Sequence, residues 1–416
     1  MLTLENRESY HNLLQAASLK AEDGDKTAII YIQTGRSPIR VSRLEFNQKA
    51  ALRAKQLRSL GIGPGDLVVI AHTQNLESIY SFWAAMLAGA IPSMFPTLTE
   101  KLDPETYMSG MAELVRLSKV KAVLTTDEFA PVLETIVPCA VYSEAILEST
   151  KTDVGIIGGD SAPDSDDIAF LQHSSGTTGL QKGVALSHRS VLNQIASYSR
   201  AISLIPEDVV VSWLPLYHDM GLIAGFVLPL FQGIPLVLMS PFDWVQHPAI
   251  LLRAIDEYAG TLCWLPNFAY NHCARRIRIR DTQGISLASM RMFINCSEPV
   301  YEESHSLFLD RFRENGLKES HLAVSYAMAE NTFAVTQTPP GRTPILDIIN
   351  KTVLEESQIA VPVELEHPLS EIRVSCGPPI VGTEVRAVDS HGVALAERFV
   401  GELAVRSSCM LSEYYR

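Results

Sequence analysis

The sequence predicts an α/β protein wound around parallel strands and followed by a smaller, strand-rich region. Three observations carry this. From about residue 25, short β-branched runs alternate with longer helical stretches, which is the pattern of βαβ units. The chain has 416 residues, 47% of them apolar and 19% charged, enough to build more than one core without disulfide staples. After about residue 335 the pattern changes to short strands broken by glycine and proline turns.

In chain order, "DLVVIAH" (66–72) reads as a strand after the turn "GIGPG", "LESIYSFWAAMLAGA" (76–90) as an apolar-faced helix, and "KAVLTTD" (121–127) as a strand. "DIAFLQ" (167–172) enters a polar loop, "GVALSH" (183–188) leaves it, and Ser187 is placed to cap the helix that follows. Further strands are expected at 209–214, 235–239, 261–266 and 290–296. The stretch 221–239 has only Gln232 as a polar residue, but two prolines and three glycines divide it. It is therefore expected to form a buried helix, a turn and a buried strand, not a membrane span. "TQTPPGRTP" breaks the pattern, and "EIRVSCGPPIVGTEVRAVDSHG" with "VGELAVRSS" suggests a small β-barrel or distorted sheet.

Composition excludes several functions. A net charge of −13 argues against a nucleic-acid partner held through a basic face. The one dense basic run, "ARRIRIR" (274–280), reads most simply as a solvated face. Six cysteines without a CxxC pair suit neither a disulfide framework nor a zinc site. No secretory signal is visible at the start, so a cytoplasmic protein without a transmembrane segment is expected.

"SSGTTGLQKG" (174–183) holds two serines, two threonines, three glycines and a lysine between two strands. Hydroxyls, free backbone N–H groups and one cation make a phosphate cradle. It is not a Walker loop, because Lys182 is preceded by Gln181 and followed by Gly183, and a strand instead of a helix comes next. No GxGxxG supports a dinucleotide site, and no GxSxG marks a serine hydrolase.

The same stretch resembles the phosphate loop of the adenylate-forming superfamily, which contains acyl-CoA synthetases, peptide-synthetase adenylation domains, luciferases and fatty acyl-AMP ligases. Further segments agree in order. "WLPLYHDMGLIAG" (213–225) resembles the acyl-site segment in the form typical of fatty acyl-AMP ligases, "NCSEPV" (295–300) the adenine-side segment, and "SYAMAEN" (325–331) the tyrosine-to-glutamate segment. "SCGPPIVGTEVRAVD" and "VGELAVRSSCMLSEYY" resemble the next two signatures, and residues 60–96 the N-terminal half.

The resemblance implies ATP-dependent activation of a carboxylic acid, most simply a fatty acid, to an acyl-adenylate with release of pyrophosphate. Mg²⁺ would be the cofactor and an acyl carrier protein, through its phosphopantetheine, the acceptor. It also implies site residues. Ser174, Ser175, Gly176, Thr177, Thr178, Gly179 and Lys182 would hold the ATP phosphates, with Lys182 also catalytic. His218, Asp219, Met220, Gly221 and Asn295 would border the acyl substrate, with His218 orienting its carboxylate. Ser297, Glu298, Pro299, Ser325, Tyr326 and Ala327 would border adenine, and Thr178 and Glu330 would be metal ligands, Glu330 also catalytic.

Taken singly these residues have plainer readings: a core histidine at His218, a turn-fixing carboxylate at Asp219, a core tyrosine at Tyr326, a solvated or capping glutamate at Glu330. Ala327 stands where much of the superfamily has glycine, and Gln181 replaces the usual proline; neither change removes a charge. The long connection between Glu330 and "SCG" resembles the insertion of fatty acyl-AMP ligases, which favours a carrier protein over CoA. The expected organisation is two wound αβ subdomains (1–166 and 167–335), an insertion-like segment (336–370) and a β-barrel-like subdomain (371–416). The superfamily's C-terminal lid domain, with its adenylation lysine, is expected to be absent, which would make adenylation by these residues alone slow. The alternatives are an acyl-CoA synthetase and a truncated, non-catalytic homologue that binds nucleotide or acyl chains.

Overall fold

A computed structural model describes all residues except 19–22, 97, 99–102, 153–161, 174–182 and 416. The α/β expectation holds, with two large sheets of eight and seven strands. The eight-stranded sheet runs Ala334–Gln337, Leu322–Ala327, Met292–Asn295, Leu262–Leu265, Val210–Ser212, Leu236–Met239, Thr27–Ile32 and Ile39–Ser42. Its six inner strands are parallel and its two edges antiparallel. The strands at 236–239, 262–265 and 292–295 are buried at every position, as expected for parallel strands covered on both faces.

The seven-stranded sheet runs Glu413–Tyr415, Gly183–Ser187, Ile168–His173, Ile91–Phe95, Leu67–Ala71, Ala122–Thr125 and Ala140–Ser143. The last five are parallel, and Ile168–His173 and Gly183–Ser187 form an antiparallel hairpin. The sheets therefore do not divide at residue 166. Thr27–Ile32 pairs in parallel with Leu236–Met239, two hundred residues on, and Ile168–His173 pairs with Ile91–Phe95. Long crossovers carry these strands to the edge that buries them, and sequence adjacency does not reveal that edge.

Helices fill the space between the sheets. Leu76–Leu87 is capped by Asn75, whose side chain accepts the Ser78 N–H, and every residue from Ser78 to Met86 is buried. A helix apolar all round belongs inside a protein. Its Phe82 ring lies 5.5 Å from Phe170 of one sheet and 5.8 Å from Phe226. His188–Ala201 starts at Ser187 as expected, with the Ser187 hydroxyl accepting the Ser190 N–H. At its far end Tyr198 donates to Gln337 Oε1 (2.8 Å) and accepts from Trp264 Nε1 (2.7 Å), which pins the helix to the eight-stranded sheet. One apolar core runs through both sheets, and a smaller one lies under the outer face of the seven-stranded sheet.

The 221–239 stretch forms a π-helix over Met220–Val227, a short helix over Leu228–Gln232 ended by left-handed Gly233, and the Leu236–Met239 strand. No described helix is long and apolar enough to cross a membrane. Beyond residue 335 the described residues form no closed barrel. Leu346–Asn350 pairs with Ser370–Val374 across the expected 370/371 boundary, and Thr383–Val388 pairs with Glu402–Ser407 as a separate ladder. Most positions of that ladder are exposed or half-exposed, so there is little apolar surface to line a barrel. Glu413–Tyr415 leaves this region and becomes the edge strand beside Gly183–Ser187.

Candidate active site

The inner strands of the eight-stranded sheet are parallel, so the segments that follow them emerge along one edge. Val210–Ser212 delivers Trp213 to Gly221, Met292–Asn295 delivers Cys296 to Pro299, and Leu322–Ala327 delivers the turn Ala329–Asn331. These are the three downstream segments singled out from sequence, and the topology gathers them at one crevice.

In the first segment His218 forms a turn, donating its N–H to Pro215 O (3.3 Å) and accepting the Leu222 N–H on its own carbonyl (2.8 Å). Its ring packs on Tyr217 at 4.6 Å. Part of the ring reaches solvent, but the protein crowded around it lowers its pKa, so the neutral imidazole is favoured. Asp219 Oδ1 accepts its neighbour Met220's N–H at 2.7 Å and caps the π-helix. Burial pushes the Asp219 carboxyl up to about 6, and the nearby charge of Glu330 adds to the effect. The turn-fixing reading and proximity to Glu330 thus coexist at Asp219. At Gly221 a Cβ would run into the Pro215 carbonyl oxygen, so no larger residue fits this entry.

Asn295 is fully buried. Its Nδ2 donates to Asn267 Oδ1 (3.1 Å) and faces His305 Nε2 (3.0 Å), while Asn295 Oδ1 has no partner among the described residues. Ser297 is held left-handed at φ 69°, with its hydroxyl 3.9 Å from Met220 Sδ. This contact joins the first segment to the second. Glu298 accepts the Phe268 N–H at 3.0 Å, fastening the start of helix Asn267–Arg276 to the segment, and Pro299 is exposed beside it.

In the third segment Ser325 is buried and donates to Thr336 O (2.8 Å), which makes it a sheet-edge anchor. Tyr326 and Ala327 are half-buried at the strand end, and burial followed by the Glu330 charge raises the Tyr326 pKa. Glu330 sits on the turn Ala329–Asn331. Its Oε1 accepts from Tyr414 Oη (2.9 Å), and its carbonyl accepts the Leu411 N–H (2.7 Å).

Residues Ser174, Ser175, Gly176, Thr177, Thr178, Gly179 and Lys182 lie outside the described residues. Their hairpin is described on both flanks. Gln172 Nε2 on the entering strand donates to Thr332 O (3.0 Å), two residues beyond Glu330. On the leaving strand Val184 pairs with Tyr414, the residue whose hydroxyl holds Glu330. The hairpin base and the Glu330 turn are therefore tied together on both sides.

Sequence reading missed Asn267, His305, Gln172, Thr332 and Tyr414, which hold the named residues in place. They sit singly in helices and strands, and no local pattern distinguishes them from other polar positions. Among the described residues, no three His, Cys, Asp or Glu groups gather into a metal cluster.

A parallel sheet with a crevice at its strand ends is the architecture of a ligand-binding α/β enzyme. Residues 16–415 match the model of the AMP-binding enzymes, and the chain belongs to that family. It is similar to a medium-chain-fatty-acid–[acyl-carrier-protein] ligase of Moorena producens, 28% identical over 404 residues that cover 94% of this chain and 67% of that protein. The crystal structure of fatty acid AMP ligase from Legionella pneumophila superposes with a TM-score of 0.91 at 28% identity, over 100% of this chain and 71% of that one. A fatty acyl-adenylate ligase of L. pneumophila in complex with acyl adenylate and pyrophosphate gives a TM-score of 0.89 at 28% identity, over 100% and 72% of the two chains.

Proposed function

We propose that the chain provides the nucleotide and acyl face of an ATP-dependent fatty acyl-AMP ligase that delivers its acyl group to an acyl carrier protein. The reading is carried by the convergence of His218–Gly221, Asn295–Pro299 and Tyr326–Glu330 at one crevice, next to the base of a Ser/Thr/Gly/Lys hairpin. In the first step a carboxylate oxygen attacks the α-phosphorus of ATP, the bond from that phosphorus to the bridging oxygen breaks, and pyrophosphate leaves. In the second a thiolate attacks the acyl carbonyl, and AMP leaves with the bonding electrons.

The obstacle in the first step is the meeting of two anions. Neutral His218 can donate a hydrogen bond to the substrate carboxylate and hold it in line without adding a full charge of its own. Lys182 and the hydroxyls of Ser174, Ser175, Thr177 and Thr178 are assigned to the departing phosphates, where charge-assisted hydrogen bonds are worth roughly 1.5–3 kcal/mol each. Tyr326, Ala327 and Ser297 to Pro299 are assigned to the adenine walls.

Glu330, with its carboxylate held by Tyr414, would offer magnesium a hard oxygen ligand, and Thr178 is assigned to supply a hydroxyl. When bound, the ion would neutralise phosphate charge. Tyr414 holds the Glu330 carboxylate oriented for that role.

The test is stabilisation by non-hydrolysable acyl-sulfamoyl-adenosines of graded chain length. A ligand at 100 times its Kd should add about 2.7 kcal/mol to the unfolding free energy. Glu330→Gln should leave this intact but lower acyl-adenylate formation on the order of 100-fold. Equal shifts with acylated and non-acylated nucleosides would reject an acyl site, and turnover with CoA in preference to a holo carrier protein would reject the proposed acceptor.

A further inference from the structure

The basic run at 274–280 has a place in the fold that the reaction does not use. Arg275 and Arg276 end the helix Asn267–Arg276, and Arg278 and Arg280 follow it. Ile279 stands among them 75% exposed. A cleft of about 810 Å³ is lined by Arg253 from helix Ala249–Glu257, by Arg276 and Arg278, and by His247, His272 and Asp281. Arg253, Arg275 and Arg276 are exposed and form no ion pair among the described residues. Asp281 pairs with Arg278 at 2.9 Å and lies 3.9 Å from Arg280, and Asp256 and Glu257 sit in the last turn of the Arg253 helix. From Pro266 to Arg280 there are four arginines and no acid, in a chain whose net charge is −13.

Such a concentration is costly to hold on a surface that gains nothing from it, because like charges repel. Arginines around an exposed aliphatic knob are instead the composition of a protein-binding hot spot. The position also suits the reaction. The helix start is fixed to Glu298 of the adenine-side segment through the Phe268 N–H, and its 10 residues place the arginines about 15 Å from the crevice. A partner seated there would stand beside the site without blocking it.

We propose that Arg253, Arg275, Arg276, Arg278, Arg280 and Ile279 form the docking surface for an acidic protein partner, the thiol-bearing acyl acceptor. This rests on the ligase reading. The cations would steer and orient the partner, and Ile279 would supply the apolar contact.

The probe is a purified, acidic holo acyl carrier protein, titrated against the chain by fluorescence anisotropy. Binding should weaken at least tenfold between about 50 and about 300 mM salt. Arg253→Glu/Arg276→Glu should weaken it by a further factor of roughly 10 or more, and Arg253→Lys/Arg276→Lys should restore most of it. The same variants should keep the wild-type melting temperature and the wild-type response to acyl-sulfamoyl-adenosine, which test the ligase reading separately. Charge-reversed protein that binds the carrier within twofold of wild type would overturn the proposal. So would saturable binding of inorganic polyphosphate at this cleft with no binding of the carrier.

Discussion

Single residues of the crevice are fixed more by what surrounds them than by their own chemistry. Gly221 shows this most directly, since it opens the π-helix where any Cβ would meet the Pro215 carbonyl oxygen. Gly221→Ala must push apart the turn that presents His218 and Asp219, and overpacking of this kind costs roughly 1–3 kcal/mol. The expected outcome is a lowered melting temperature together with loss of the acyl-sulfamoyl-adenosine shift; a variant with wild-type values of both would show that the entry has room. His218, Asp219 and Glu330 were legible in sequence because they fall in patterned segments. The partners that set their states were not: Asp219 is raised to about 6 by burial and by Glu330, which lies 111 residues away in sequence and reaches it only through the sheet.

At the scale of elements, the polar hairpin works as part of a larger assembly. Its entering strand is bonded to Thr332 through Gln172, and its leaving strand pairs with the strand that carries Tyr414. Glu330 is thus held from the same two strands that hold the hairpin. Gln172→Leu keeps the volume and removes the bond, leaving the buried Thr332 carbonyl without this donor, at a cost of about 1–3 kcal/mol. If the tie positions the site, acyl-adenylate formation should fall through kcat with little change in KM for ATP. If it is only structural, stability alone should fall, as melting curves and steady-state kinetics would separate. The strand–loop–strand–helix order and the Ser187 cap could be read locally, because each depends on residues a few positions apart. The placement of Thr27–Ile32 beside Leu236–Met239 and of Glu413–Tyr415 beside Gly183–Ser187 could not. Those pairings are decided by which sheet edge buries each strand, and a run of β-branched residues carries no address.

Across the whole molecule, acid should weaken the fold through two buried histidines. His188, 3% exposed, accepts the Leu13 N–H on Nδ1 (3.2 Å), and His305, 7% exposed, accepts from Asn295 Nδ2 at 3.0 Å. Protonating either ring turns an acceptor toward a donor. Burial accordingly lowers both from 6.5 to about 4. The unfolded chain takes up protons as the pH falls through 6.5, whereas the folded chain resists until about 4, so stability is complete above 6.5 and drains away between these values. From pH 7 to pH 5 each histidine should cost about 2 kcal/mol. Asp219 acts in the opposite sense. Its folded pKa of about 6 lies above the ordinary 3.8, so the folded state binds the extra proton and regains about 1 kcal/mol over the same range. The histidines win, and denaturant unfolding should show a net loss of roughly 2–3 kcal/mol at pH 5. His188→Gln/His305→Gln, which keeps acceptor oxygens but cannot titrate, should remove most of the loss, leaving the contributions of His218 and His321, whose pKa values are also lowered by burial, against the small gain from Asp219. A double variant as acid-sensitive as wild type would place the acid sensitivity in other groups.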